Sequence, residues 1–141
     1  MIVVDTGPIV AAAFGDDNDH ERCVAEFARL RKARSPLFVP SFVAGEVCYM
    51  LAKLGGPEAE ADFLRSLESG WFTQIDLTRG DLARIATLVE RYPNLPLGAA
   101  DASVVAVAER FHIAAVLTLD TRDFSVVRPS HVPALTLLPG F

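Results

Sequence analysis

AADASVVAVAERFHIAAVLTLD, residues 99–120, reads as a helix followed by a buried strand. Residues 99–112 carry small and apolar side chains at helical spacing, and residues 115–119 are apolar or β-branched. At 1.5 Å per residue the helix is about 20 Å long. At 3.3 Å per residue the strand is about 17 Å long. The matched lengths suit a crossover helix that runs back along its sheet. Asp101, in the first turn of the helix, then returns to the edge where the strand ends on Asp120.

The flanking sequence repeats this alternation. MIVVD is a short buried strand, and TGPIVAAAF opens a helix with Thr6 as cap and Pro8 in its first turn. GDDNDHER is a polar loop leading into a helix that ends near Arg34. PLFVP is a strand, and a helix runs from Ser41, its N-cap, to about Leu54, where Gly55 and Gly56 stop it. Pro57 starts another helix ending near Gly70, and WFTQID is a strand. From Arg79 to Tyr92, Leu82, Ile85, Ala86 and Val89 form an amphipathic stripe. PNLPLG breaks the chain before the 99–112 helix, and ALTLL is a last strand whose direction the sequence does not set. The expected fold class is α/β: a single-domain three-layer sandwich, 1–141, with a mostly parallel central sheet flanked by helices.

Composition narrows the function. A net charge of -5 repels nucleic acid unless a basic patch or bound cations reverse the local sign. The 51% hydrophobic content is rich for a small monomer and suggests apolar surface reserved for a partner. Cys23 and Cys48 make no disulfide framework, which points to a reducing cytoplasm. The first residues lack the basic region of a signal peptide, and no apolar run reaches the roughly 20 residues a membrane helix needs.

In an open α/β sheet, ligands bind beyond the carboxyl ends of the strands. Asp5 ends the first strand, Asp120 ends the strand 115–119, Asp101 returns to the same edge, and Glu46 sits early in the helix after LFVP. Carboxylates gathered at one rim repel, and hard divalent cations between them relieve the repulsion. An oxygen-only donor set favours magnesium or manganese over zinc. Such ions activate water and stabilise charge in phosphodiester hydrolysis.

Each acid also has an ordinary reading. Asp5 suits a helix cap, Asp101 a helix dipole, and Asp120 with Asp123 a solvated turn. Thr118 suits plain β-propensity. The case rests on joint placement. RLRKAR, with Arg29, Arg31, Lys32 and Arg34, reads equally as an RNA phosphate contact or as cations closing a helix C-terminus. DDNDHER fails as a calcium loop because Arg22 and Ala28 stand where Gly and Glu are required. His20 and Cys23 find no spacing partner in His112 or His131 for a zinc site.

Taken together, VVDTG, VAGEVCYML, PLGAADASVVAVA and LTLDTRDF resemble the PIN-domain nucleases, most of all the VapC-type toxins of bacterial toxin–antitoxin pairs. The resemblance covers nearly the whole chain. It implies a magnesium- or manganese-dependent ribonuclease cutting single-stranded RNA, with Asp5, Glu46, Asp101 and Asp120 as the acidic quartet. Asp123 becomes an accessory metal ligand, and Thr6 and Thr118 give hydroxyl support. It also implies a homodimer and a cognate antitoxin, whose groove is expected between helices 41–54 and 57–70. The alternative is a catalytically degenerate PIN domain that binds RNA or protein. A phospho-accepting receiver is disfavoured because the only lysines are Lys32 and Lys53, and a haloacid-dehalogenase-type phosphatase because Gly7 stands where a second Asp belongs.

Overall fold

In the computed structural model, which describes residues 1–140, the elements run β1 (Ile2–Val4), α1 (Thr6–Ala13), α2 (His20–Lys32), β2 (Leu37–Pro40), α3 (Ser41–Glu68), β3 (Thr73–Ile75), α4 (Arg79–Arg91), α5 (Ala99–Phe111), β4 (Ala115–Leu117), α6 (Thr121–Val126) and β5 (Thr136–Leu138). The strands form one sheet in the order β3-β2-β1-β4-β5. All pairings are parallel, which fixes the direction of β5 at the edge. β1 lies at the centre, and the strand order reverses around it. That reversal opens a crevice at the carboxyl ends of β1 and β4.

Parallel strands buried on both faces need helices on either side. β1 is wholly buried, and α5 buries every residue from Ala102 to Ala108. A helix that is small and apolar nearly all round sits inside the fold, and α5 packs on β1, β2 and β4 and against α3 and α4. It is therefore the central crossover that the 99–120 stretch implied.

Four local expectations need correction. Thr6 is the first helical residue of α1, and Asp5, extended at φ -85° and ψ 170°, holds the cap position without capping with its side chain. Ser41 likewise begins α3, with Pro40 before it. Third, β4 ends at Leu117, short of residue 119. The Thr118 hydroxyl accepts the Asp120 N–H at 2.9 Å and bends the chain out of the ladder. Fourth, residues 121–126, to which the sequence pattern assigns no element, form α6.

The glycine stop is borne out. Gly56 adopts φ 76° and ψ -174°, outside the helical region, and divides α3 into two arms. A Cβ on Gly55 would lie 2.8 Å from Phe14 Cε1, so the elbow packs too tightly for a larger residue.

Candidate active site

Asp5, Glu46, Asp101 and Asp120 line one cavity of about 440 Å³, together with Thr6, Gly7 and Leu119. β1 delivers Asp5, α3 delivers Glu46 in its second turn, α5 delivers Asp101 in its first, and the bend after β4 delivers Asp120. The Asp5 N–H donates to the Leu117 carbonyl at 2.9 Å, so the ends of β1 and β4 are tied at the rim.

Thr118 fixes the spacing between two of the acids. It is fully buried. Its hydroxyl donates to Asp5 Oδ2 at 2.8 Å and accepts the Asp120 N–H. A threonine that passes for ordinary strand composition thus joins two segments 113 residues apart. Asp120 Oδ1 accepts the Asp123 N–H at 3.2 Å at the start of α6. Asp101 Oδ2 accepts the Gly98 N–H, also at 3.2 Å. Asp123 stands beside Asp120 on α6 and does not line the cavity.

The electrostatics of the rim are unfavourable for bare carboxylates. Burial pushes Asp5 from 3.8 up to about 6; the Thr118 and Thr6 hydrogen bonds oppose this, and the negative charges of Asp101 and Glu46 add to it. Asp101 is also raised, by burial first and then by Asp120, Glu46 and Asp123, against the Gly98 hydrogen bond. Asp123 is raised by residual burial and by Asp120. Among the residues that shift Asp5 or Asp101, none is a cation.

This donor set fits a hard divalent cation in its chemistry. It offers oxygen ligands alone. Among the described residues Asp101 Oδ1 and Asp120 Oδ2 take no hydrogen bond, and the Thr6 hydroxyl oxygen is buried without a partner. Among the described residues, no three acid, histidine or cysteine side chains already close on one point as a finished coordination shell. Asp101 and Asp120 are instead turned toward the N–H groups at the starts of their own helices.

The basic run lies elsewhere. α2 ends at Lys32 and leads into the amino end of β2, so Arg31, Lys32 and Arg34 stand at the sheet edge opposite the acids. Arg29 pairs with Glu26, and Arg31 stacks on Trp71 with 3.7 Å to the ring centroid. The expected groove is present and wider than its two-helix outline. A cavity of about 560 Å³ is lined by Leu51, Ala59 and Phe63 of α3, and also by Ile9 of α1 and by Val24 and Phe27 of α2.

The sequence pattern described as the PIN domain matches residues 2–128, and the chain belongs to the PIN-domain family. More particular likenesses lie within it. "Ribonuclease VapC26" of Mycobacterium tuberculosis is 30% identical over 138 residues, covering 98% of this chain and 100% of that one. The crystal structure of M. tuberculosis VapC20, described as a Sarcin-Ricin loop cleaving toxin, superposes with a TM-score of 0.76 at 19% identity, covering 87% of this chain and 92% of that one. VapBC2 from Rickettsia felis, solved bound to a DNA fragment from its promoter, gives 0.65 at 20% identity and 97% of both chains.

Proposed function

We propose that this chain is a divalent-metal-dependent endoribonuclease, the toxin of a toxin–antitoxin pair. The observation that carries the reading is the cavity itself: acids from four separate segments line it, and no cation is among the groups that shift Asp5 or Asp101. The ribonuclease named among its relatives supports the substrate class. Asp5, Glu46, Asp101 and Asp120 hold magnesium or manganese, and Asp123 supports Asp120. A bound ion of this kind supplies a water of lowered pKa and offsets the charge that develops on a phosphodiester. The chain's own part is positional. Thr118 sets the separation of Asp5 and Asp120 through its two hydrogen bonds. Thr6 lines the same cavity, and its hydroxyl oxygen is buried without a hydrogen-bond partner among the described residues. Leu119 and Gly7 give the cavity an apolar wall that limits water around the reacting phosphate.

The apolar groove takes a segment of an antitoxin, in keeping with structural neighbours solved as toxin–antitoxin complexes. Exposed Leu82 and Val89 on α4 supply apolar surface for a second copy. Among the described residues no helix is long and apolar enough to cross a membrane, and Cys23 and Cys48 are free thiols, which agrees with work in a reducing cytoplasm.

The test is cleavage of single-stranded RNA with magnesium, with EDTA, and with Asp101→Asn. Calorimetric titration with magnesium gives a second readout: the unsubstituted protein binds, and Asp101→Asn binds at least about tenfold more weakly. Cleavage that survives EDTA overturns the reading.

A further inference from the structure

The first arm of α3 turns Val43, Ala44, Val47 and Leu51 into the core. At 3.6 residues per turn, Phe42, Glu46, Tyr49 and Lys53 fall within about 60° of one another on the far side of the helix. Along the axis Phe42 precedes Glu46 by about 6 Å, Tyr49 follows it by about 4.5 Å, and Lys53 follows it by about 10 Å. Phe42 is 39% exposed and Tyr49 64%. Gly45, between the two rings in sequence, puts no side chain there, and a Cβ on it would meet nothing within 4 Å. Lys53 is exposed and, among the described residues, enters no ion pair. Exposed apolar residues scattered singly are ordinary on a protein surface. Here two of them flank, on one stripe, a carboxylate that lines the acid cavity. The stripe shares no residue with the apolar groove.

We propose that this stripe is the track for unpaired RNA: Phe42 and Tyr49 each stack a base, on either side of the phosphate that reaches the acid rim, and Lys53 meets a phosphate further along. This rests on the ribonuclease reading above and adds the residues that position its substrate. Unpaired bases can splay out and lay their faces on aromatic rings, and such stacking tolerates every base because each has a π-face. The rings thus favour single-stranded substrate without reading its sequence. A chain of net charge -5 gives a polyanion little general attraction, so local contacts have to hold it. A protein partner suits the stripe less well. A second copy laid over it would enclose the Glu46 carboxylate between two rings, and burying an unpaired charge is costly. RNA leaves that carboxylate facing the cavity it lines.

The probe is oligouridylate of about 12 nucleotides, with an abasic ribose-phosphate strand of equal length beside it. Binding to the full chain is read by fluorescence anisotropy in calcium, which takes the same oxygen ligands as magnesium. The unsubstituted chain binds oligouridylate at least about tenfold more tightly than the abasic strand. Tyr49→Ala weakens oligouridylate at least about fivefold and leaves the abasic strand unchanged. Phe42→Ala does the same, and Tyr49→Phe, which keeps a ring, binds as the unsubstituted chain does. Lys53→Ala weakens both strands alike and lowers the slope of log affinity against log salt by about 0.7. With magnesium, Tyr49→Ala raises KM for RNA cleavage, while calorimetric magnesium binding is unchanged. If Tyr49→Ala binds both strands normally and still cleaves RNA, the inference is overturned and the ribonuclease reading stands. It is overturned equally if Tyr49→Ala sediments as a lighter species with RNA binding intact, because the stripe is then a contact between copies. Ring-dependent binding in a chain that does not cleave RNA sustains the track and removes the ribonuclease reading. If no RNA binds the unsubstituted chain, the inference falls.

Discussion

Two sets of acids are buried in this molecule, and their surroundings differ sharply. Asp5 and Asp81 are each 5% exposed. Asp81 accepts from Arg110 at 3.0 Å and caps α4, taking the Thr78 N–H while its own N–H goes to the Thr78 hydroxyl. Glu109 receives Arg84 through two bonds of 2.8 and 2.9 Å and the Ser130 N–H at 2.7 Å. Its carboxyl is lowered: burial alone would raise it, and the Arg84 and Ser130 bonds outweigh that. Asp5, equally buried, has a threonine hydroxyl and the negative charges of Asp101 and Glu46 for company, and it moves up to about 6. Burial of a carboxylate is therefore uninformative alone. What separates Asp81 and Glu109 from the acids proposed to hold metal is that the fold itself provides their countercharge.

The largest effect expected from this contrast is on chemistry. Asp101→Asn lowers the RNA cleavage rate at least about a hundredfold, because an ion's stabilisation of the transition state amounts to several kcal/mol. Its fold, followed by circular dichroism, is unchanged. Glu109→Gln does the reverse. It leaves cleavage per folded molecule intact and costs about 3 kcal/mol in urea unfolding, already discounted for the partly exposed Arg84. Loss of cleavage in that variant would dissolve the distinction between the two sets.

A smaller and opposite effect belongs to Asp5. Folded, it keeps its proton up to about pH 6, against 3.8 ordinarily, so between those values the folded state holds more protons than the unfolded one. The stability this provides is complete below pH 3.8 and is lost as pH rises through about 6. Asp5→Asn thus stabilises the metal-free protein by about 3 kcal/mol at pH 8 and leaves it nearly unchanged at pH 3. Urea midpoints at the two values measure the difference, and equal shifts would break the comparison. Least of all is expected from Arg65→Ala. Its pair with Asp62 is 73% and 81% exposed, and the melting temperature stays within error.

The sheet edge was readable because helix and strand lengths are set by rise per residue, so Asp101 had to return beside Asp120. The elbow was readable because Gly55, Gly56 and Pro57 are local signals. The missed parts have equally physical causes. α6 is too short, at 6 residues, to show a helical period. Thr118 is a common strand residue whose role depends on Asp5, 113 positions away. The pairs Arg84–Glu109 and Arg110–Asp81 span 25 and 29 residues and leave no spacing signature. The edge reached by Arg31 and Arg34 follows from crossover geometry. Applied to α2, that geometry sends the helix C-terminus away from the strands' carboxyl ends, just as it brings the N-terminus of α5 toward them.

Gly56 joins the two arms of α3 through a single residue. That makes the segment from Glu46 to Phe63 a fixed ruler between the rim and the groove floor. Each residue of an α-helix advances about 100° around its axis. One amino acid inserted after Pro57 would therefore swing the stretch beyond it by roughly that angle, carrying Phe63 off its neighbours while Glu46 stayed in place. The distance between the two surfaces is counted in whole residues, and the chain has no loop there to absorb an error.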